Sequence, residues 1–261
     1  MMRTLRDAIY GLAVGDALGV PVEFMDRDSY EVTEMMGHGT HNQEAGTWSD
    51  DTSMTLATCD SIRENGKIDI EDMRAKFKAW LYDAEYTVDN DVFDRGITVM
   101  RALDMGKGLD GEYDNGNGSL MRILPLAFTD ASEEEIRACS AITHAHDLST
   151  GLCVKYVEIA RRLIDGESLE SVIPSEIATR SCDNIKSTGF VRDTFEAALW
   201  ALANSDNYKD AMLLAVNLGS DTDTVGAVAG GLAGIVYGIE GIPAEWMEVL
   251  RGKEVIEKCL F

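Results

Sequence analysis

The chain is expected to fold as an all-α protein, a single domain spanning residues 1–261. Three observations lead there. Apolar residues recur at helical spacing in most segments. No run alternates apolar and polar between turn residues as a half-buried strand would. The sequence has only four prolines, and no Pro/Ser-rich linker or fixed-period repeat divides it. Hydrophobic residues make up 45% of 261, enough for one sizeable core.

The helices can be placed in order. Thr4-Leu-Arg-Asp7 is a capping-box pattern, followed by Leu5, Ile9, Leu12 and Ala13 on one stripe. A second helix runs from Asp51 to Arg63. Asp69 opens a third, with Met73, Phe77, Trp80 and Leu81 on its apolar face. Ser132-Glu-Glu-Glu135 caps another. Ser149 opens a long helix striped by Leu152, Tyr156, Ile159 and Leu163. Asp193–Ala203 and Tyr208–Leu218 follow. The last strong helix begins after Gly219 and carries Val225, Val228, Ala229, Leu232, Ile235 and Val236. It is crowded with small residues, among them Gly226, Gly230, Gly231 and Gly234. Glycine inside a helix costs about 1 kcal/mol relative to alanine. Close approach of neighbouring helices would offset that cost, so this helix is expected at the centre of the bundle.

Charge narrows the function. Acidic residues outnumber basic ones 46 to 23, a net charge of −23. Such a surface repels nucleic acid and anionic membrane, and takes an anionic ligand only if cations intervene. Five scattered cysteines form no CxxC pair, which suits reduced thiols in the cytoplasm. The N-terminus lacks a signal-peptide core, and the longest uncharged stretch, Thr224–Ile239, is too short to span a bilayer.

Two segments concentrate hard oxygen donors, Ser49-Asp-Asp-Thr-Ser53 and Gly219-Ser-Asp-Thr-Asp-Thr224. Each opens an apolar helix. One alone reads as an N-cap, because Asp, Ser and Thr are preferred there. Together they hold more carboxylates than capping needs. Four converging carboxylates repel one another, and two divalent ions, Mg²⁺ or Mn²⁺, resolve the conflict. Asp221-Thr-Asp-Thr-Val225 also fits the nucleophile motif of haloacid-dehalogenase-like phosphatases. That motif needs a preceding hydrophobic strand in a parallel sheet, and here a helical segment precedes it. An EF-hand reading fails because Leu232 stands at the twelfth position. Asn115-Gly-Asn-Gly-Ser119 is a tight turn whose amides can cradle a phosphate. In Thr143-His-Ala-His146, no further His or Cys is placed for zinc. His144 reads as a ligand contact and His146 as structural.

Taken together, these residues resemble the ADP-ribosylglycohydrolase family, along nearly the whole chain. The similar motifs are Gly11-Leu-Ala-Val-Gly-Asp-Ala-Leu-Gly-Val-Pro-Val-Glu23, Ser49-Asp-Asp-Thr52, Phe93-Asp-Arg-Gly96, Asn117-Gly-Ser-Leu-Met-Arg122, Thr143-His144, Gly189-Phe190, Asn217–Thr224 and Gly241-Ile-Pro-Ala-Glu-Trp246. The resemblance implies an orthogonal helical bundle with a central dimetal site. It implies a hydrolase cleaving the glycosidic bond between ADP-ribose and an acceptor, on a protein or a small molecule, with ADP-ribosyl-arginine expected first. It places the two metals on Ser49, Asp50, Asp51, Asp221, Asp223 and Thr224, where serine at 49 departs from the family's usual threonine and keeps the hydroxyl. By the same resemblance Glu23 lies near the substrate ribose and Asp94 near the scissile bond. Asn117, Gly118 and Ser119 form the pyrophosphate turn, His144 touches the ligand, and Phe190 stands where the family often has a tyrosine stacked on adenine. Glu23 also reads as an acid after a Pro turn, Asp94 as a helix cap and Phe190 as core. A catalytically silent ADP-ribose-binding protein, or a hydrolase of a different ADP-ribosyl or nucleoside adduct, remains open. The acceptor face is expected on loops 26–47 and 83–92, where Asp83, Glu85, Asp89 and Asp91 could greet a guanidinium or simply face solvent.

Overall fold

The computed structural model describes residues 3–261. Among these, thirteen α-helices and no strand occur. They are α1 (Leu5–Gly19), α2 (Asp50–Asn65), α3 (Ile70–Asp83), α4 (Ile97–Met105), α5 (Glu133–Ser140), α6 (Asp147–Ile164) and α7 (Leu169–Val172), then α8 (Ser175–Ala178), α9 (Val191–Ala203), α10 (Tyr208–Val216), α11 (Thr222–Tyr237), α12 (Ala244–Val249) and α13 (Lys253–Cys259). The all-α expectation holds, and the phosphatase alternative falls with the missing sheet.

The expected caps form at three helix starts. Thr4 and Asp7 make a reciprocal capping box on α1, as do Ser132 and Glu135 on α5. Asp69 accepts from the Asp72 amide at the start of α3. Several boundaries differ from expectation: α2 runs on to Asn65 and α9 starts at Val191, and two further shifts have a visible cause. The long helix α6 starts at Asp147, two residues before Ser149, because the His146 side chain accepts from the Leu148 amide and serves as the cap. Helix α10 stops at Val216 rather than Leu218; the Asn217 side chain bonds the Leu213 carbonyl (2.8 Å) and both backbone groups of Val32 (2.8 and 3.0 Å). Such side-chain bonds give the backbone an alternative to another helical turn.

Helix α11 is buried along almost its whole length, and its main partner is α1. The two run antiparallel in a fixed register. A Cβ at Gly15 would lie 2.1 Å from the Gly226 carbonyl oxygen, and one at Gly226 would lie 2.3 Å from that of Gly15. Gly11 and Gly230 oppose each other in the same way at 2.3 Å, and a Cβ at Gly234 would meet the Asp7 carbonyl at 2.2 Å. Glycine every fourth residue on both helices lets the backbones touch. Buried tyrosines then bond carbonyls of the pair, Tyr208 to Gly11 (2.6 Å) and Tyr156 to Val228 (2.7 Å). The Thr222 hydroxyl donates to the Gly19 carbonyl (2.8 Å), tying the start of α11 to the end of α1. Acidic residues lie at that end of both helices, so the glycine contact also sets how far apart those acids stand.

Candidate metal centre and substrate cleft

The N-terminus of α2 meets the α1–α11 pair at the bundle's centre. Ser49 is its N-cap, with its hydroxyl accepting from the Asp51 amide and donating to Asp51 Oδ2 (2.9 Å). Asp50 and Asp51 occupy the first turn, where the helix dipole favours a negative charge. Asp223 lies in the first turn of α11, and Thr224 Oγ1 reaches Asp51 Oδ2 at 3.4 Å across 173 residues of sequence. The two acidic motifs are thus brought together, and carboxylate oxygens of Asp16, Asp51 and Asp223 lie within 4.8 Å of one another. So do oxygens of Glu23, Asp221 and Asp223.

Three oxygens in this cluster are buried without any hydrogen-bond partner: Asp51 Oδ1, Asp221 Oδ1 and Asp223 Oδ2. Leaving a buried acceptor unmet costs about 1–3 kcal/mol, more when it is charged. Burial drives the carboxyl groups of Asp50, Asp51 and Asp223 well above the usual range, and repulsion from neighbouring acids adds to it. Orphaned oxygens and crowded carboxylates are both relieved by cations. The donor set of carboxylates with the Ser49 and Thr224 hydroxyls is hard oxygen throughout, which fits small divalent ions.

Asp16 is a member of this cluster that sequence reasoning missed. It is fully buried on α1 and accepts from the Ser49 amide (2.9 Å), the Thr52 amide (3.0 Å) and the Thr52 hydroxyl (2.6 Å). It therefore fixes the start of α2 against α1. Burial pushes it up to about 6, against the pull of those bonds. The available signal was a lone acid in the otherwise uncharged run Gly11–Val22.

A cavity of about 330 Å³ opens above the cluster, lined by Glu23, Phe24, Asp50, Asp94–Val99, Gly116–Gly118, Met121, His144, Gly189, Asp221 and Thr224. Ser49, Asp51 and Asp223 lie beneath this lining. Glu23 is 2% exposed, so it is not a solvent acid after the Pro turn. Its carboxyl is pushed up to about 10 by burial and by Asp94, Asp221 and Asp16. Asp94 does not cap a helix, since Gly96 precedes α4, and it holds a left-handed φ of 47° at the cavity wall. Burial and Asp221 raise its carboxyl as well.

The Asn115–Ser119 turn forms the opposite wall. Asn117 Nδ2 donates to Asp221 Oδ2 (2.9 Å) and to Thr194 (2.9 Å), joining the turn to the acidic cluster. The Ser119 side chain turns away from the cavity and bonds Ser140 (2.9 Å) and Cys153 (3.5 Å), so its contribution to a ligand is limited to its amide. His144 is 1% exposed and burial pushes it down to about 3, so its ring is neutral. The buried Arg122 guanidinium donates to Thr143 Oγ1 (3.0 Å), and the same hydroxyl shares a hydrogen bond with His144 Nδ1 (2.9 Å) in which either atom can be the donor. With the threonine as donor, the ring proton is on Nε2, beside Gly116 in the cavity lining. Phe190 is 40% exposed, hence not core. It lines an adjoining cavity of about 570 Å³ with Tyr113 and His146, which shares Gly116 and Gly189 with the first.

Loops 26–47 and 83–92 do not line the cavity. Asp89 is engaged by Arg251 in a two-pronged pair (2.6 and 2.8 Å), and Asp91 accepts from Gln43 (3.1 Å).

Comparison with known proteins agrees with this arrangement. A profile of the ADP-ribosylglycohydrolase family matches residues 2–260. The chain belongs to the ADP-ribosylglycohydrolase family. It is 36% identical to the ADP-ribosylarginine hydrolase Tri1 of Pseudomonas putida (strain GB-1), covering 97% of this chain and 76% of that protein. It is 33% identical to the ADP-ribosyl-[dinitrogen reductase] glycohydrolase of Rhodospirillum rubrum, covering 94% of this chain and 90% of that one. A solved structure described as an ADP-ribosylglycohydrolase-related protein complex superposes with a TM-score of 0.83 at 30% identity, over 97% of this chain and 94% of the other. As a member of this hydrolase family the chain is an enzyme. No helix among the described residues is long and apolar enough to cross a membrane.

Proposed function

We propose that this ADP-ribosylglycohydrolase hydrolyses the bond between ADP-ribose and an arginine side chain on a protein, using two Mg²⁺ or Mn²⁺ ions. The observation that carries the chemistry is the set of three buried carboxylate oxygens without partners, contributed by both acidic motifs. The arginine acceptor is supported by what the Pseudomonas and Rhodospirillum relatives act on by name, an ADP-ribosylated arginine and an ADP-ribosylated dinitrogen reductase. Five cysteines without a disulfide suit a cytoplasmic enzyme.

Ser49, Asp50, Asp51, Asp221, Asp223 and Thr224 would hold the ions. Bound there, cations would supply attraction for an anionic substrate and Lewis acidity for the ribose hydroxyls and a water. The chain's own groups do the rest. Amides of Gly118 and Ser119 face the pyrophosphate, and the Nε2 proton of His144 donates to a ligand oxygen. The Phe190 ring offers a face to the adenine. Glycosidic cleavage develops positive charge at the anomeric carbon, which Asp94 and Glu23 would stabilise as carboxylates once cations offset the repulsion that raises them. The departing guanidine takes a proton, and the same carboxyls are placed to move it. Asp223→Ala is expected to abolish turnover of ADP-ribosyl-arginine protein while the chain stays folded. Unchanged turnover would sink the dimetal reading, and turnover confined to ADP-ribosyl-serine would sink the arginine assignment.

A further inference from the structure

His41 stands outside both acidic motifs and the phosphate turn, yet it touches the segments bearing both candidate carboxylates. Its Nε2 contacts Glu23 Oε2. Its ring packs between Phe24, with centroids 6.1 Å apart, and Phe93, at 5.1 Å. Phe24 follows Glu23 in sequence and Phe93 precedes Asp94. Reactive atoms of Glu23, His41 and Asp94 lie within 4.8 Å of one another.

The loop that presents His41 is fastened to the Glu23 segment by backbone as well as side chain. Thr40 Oγ1 donates to the Glu23 carbonyl (2.6 Å). A Cβ at Gly39 would lie 1.9 Å from the Pro21 carbonyl oxygen, so the loop rests directly on the Val20–Val22 turn. His38 and Gln43 close the loop with an isolated bridge. Glu23 is thus held at its carbonyl by one residue and at its carboxylate by the next. A free glutamate has three side-chain torsions to order, and reactions lose about 100-fold when a group is misplaced by 1 Å.

We propose that His41 is a positioning residue. Its Nε2–H donates to Glu23 and fixes that carboxyl against the ribose, while its ring keeps the Glu23 and Asp94 segments at a set separation. The proposal deepens the function given above, and rests on it for the turnover test only. The bond to Glu23 demands a donor at the Nε2 position, and the spacing demands a side chain of comparable bulk between Phe24 and Phe93. Glutamine can place an amide N–H near that position, and leucine fills the space without a donor.

The test compares His41→Leu and His41→Gln with wild type in ADP-ribosyl-arginine turnover, alongside Mn²⁺ affinity and melting temperature. The expected result is a fall of about 10- to 100-fold in kcat for His41→Leu with KM and Mn²⁺ affinity held, and recovery of most of it in His41→Gln. In a Glu23→Gln background, His41→Leu should cost far less than it does alone. Equal losses in both His41 variants, or full activity in His41→Leu, would overturn the proposal. A second measurement needs no substrate. The chain has four histidines, so their ring ¹⁵N signals can be separated by NMR. Glu23→Gln should move the Nε2 signal of His41, and an unmoved signal would equally overturn it. If wild type releases no ADP-ribose from arginine, the function assignment fails while the NMR comparison still decides the His41–Glu23 contact.

Discussion

Replacing Gly226 with alanine tests the idea that the α1–α11 contact builds the site. The new Cβ would lie 2.3 Å from the Gly15 carbonyl oxygen and 2.9 Å from its carbon, both backbone atoms that cannot rotate aside. Ordinary contact needs roughly another ångström, so the helices must separate. Overpacking of this kind costs about 1–3 kcal/mol, and the rigid obstacle puts this site at the upper end. Alanine's better helix propensity returns about 1 kcal/mol, for a net loss of about 2. Unfolding entropy scales with length, so in 261 residues that is a drop of about 4 °C in Tm. Gly151→Ala is the control. Gly151 lies inside α6, and the nearest atom to a Cβ there would be the tip of Arg137 at 3.8 Å, so alanine should raise Tm by 1–2 °C, roughly. Because Asp16 and Asp223 sit on the two separated helices, Gly226→Ala should also weaken Mn²⁺ binding, read by calorimetry. Thermal unfolding of both variants in chelator checks the signs. Gly226→Ala as stable as Gly151→Ala would refute the close-approach argument.

Other outcomes follow from the same structure. Asp223→Asn removes one of the repelling buried acids, so it should melt higher than wild type in chelator, yet lose the gain that saturating Mn²⁺ gives wild type, about 2.7 kcal/mol at 100 times Kd. Thr143→Val removes the hydrogen-bond partner of His144 Nδ1, and should raise KM for ADP-ribosyl substrates several-fold with little change in Mn²⁺ affinity, measured by steady-state kinetics. Asp60 is held below its usual range: burial alone would raise it, but bonds from Lys76 (2.8 Å), Arg63 (2.5 Å) and Tyr86 (2.9 Å) outweigh that. Its stabilisation is therefore present above the unfolded aspartate value near 3.9 and lost as pH falls through the lower folded one. Asp60→Asn should be less stable than wild type by roughly 1–3 kcal/mol at pH 7, with the gap closing as pH falls below the unfolded aspartate value, read from urea unfolding at a series of pH values.

Much of the bundle was legible because its helices announce themselves locally. Capping boxes at Thr4 and Ser132 and the stripe of small residues after Gly219 depend on near neighbours in sequence, and each appears where periodicity puts it. What the small residues pack against was not legible. Gly11, Gly15 and Gly19 supply the other half of the contact from the far end of the chain, and only the fold pairs them. The acidic motifs were visible as excess carboxylate at two helix starts. Asp16 was not, because one acid in an apolar helix has no spacing to give it away, and its partners are amides of another element. His41 escaped for a similar reason: its contact to Glu23 is set by a loop lying on the Val20–Val22 turn. The helices not placed from sequence, α4, α7, α8, α12 and α13, are short, and each starts without a side-chain cap bond. The early start of α6 reflects a histidine cap, which lies outside the usual Ser, Thr, Asp and Asn.

The most direct test of a metal-dependent arginine-specific hydrolase is release of ADP-ribose from an ADP-ribosyl-arginine protein, with Mg²⁺, with Mn²⁺ and with EDTA. The expected result is release with a divalent ion, abolished by EDTA and restored when the ion is added back. Release that persists undiminished in EDTA, or none with either metal, would contradict it.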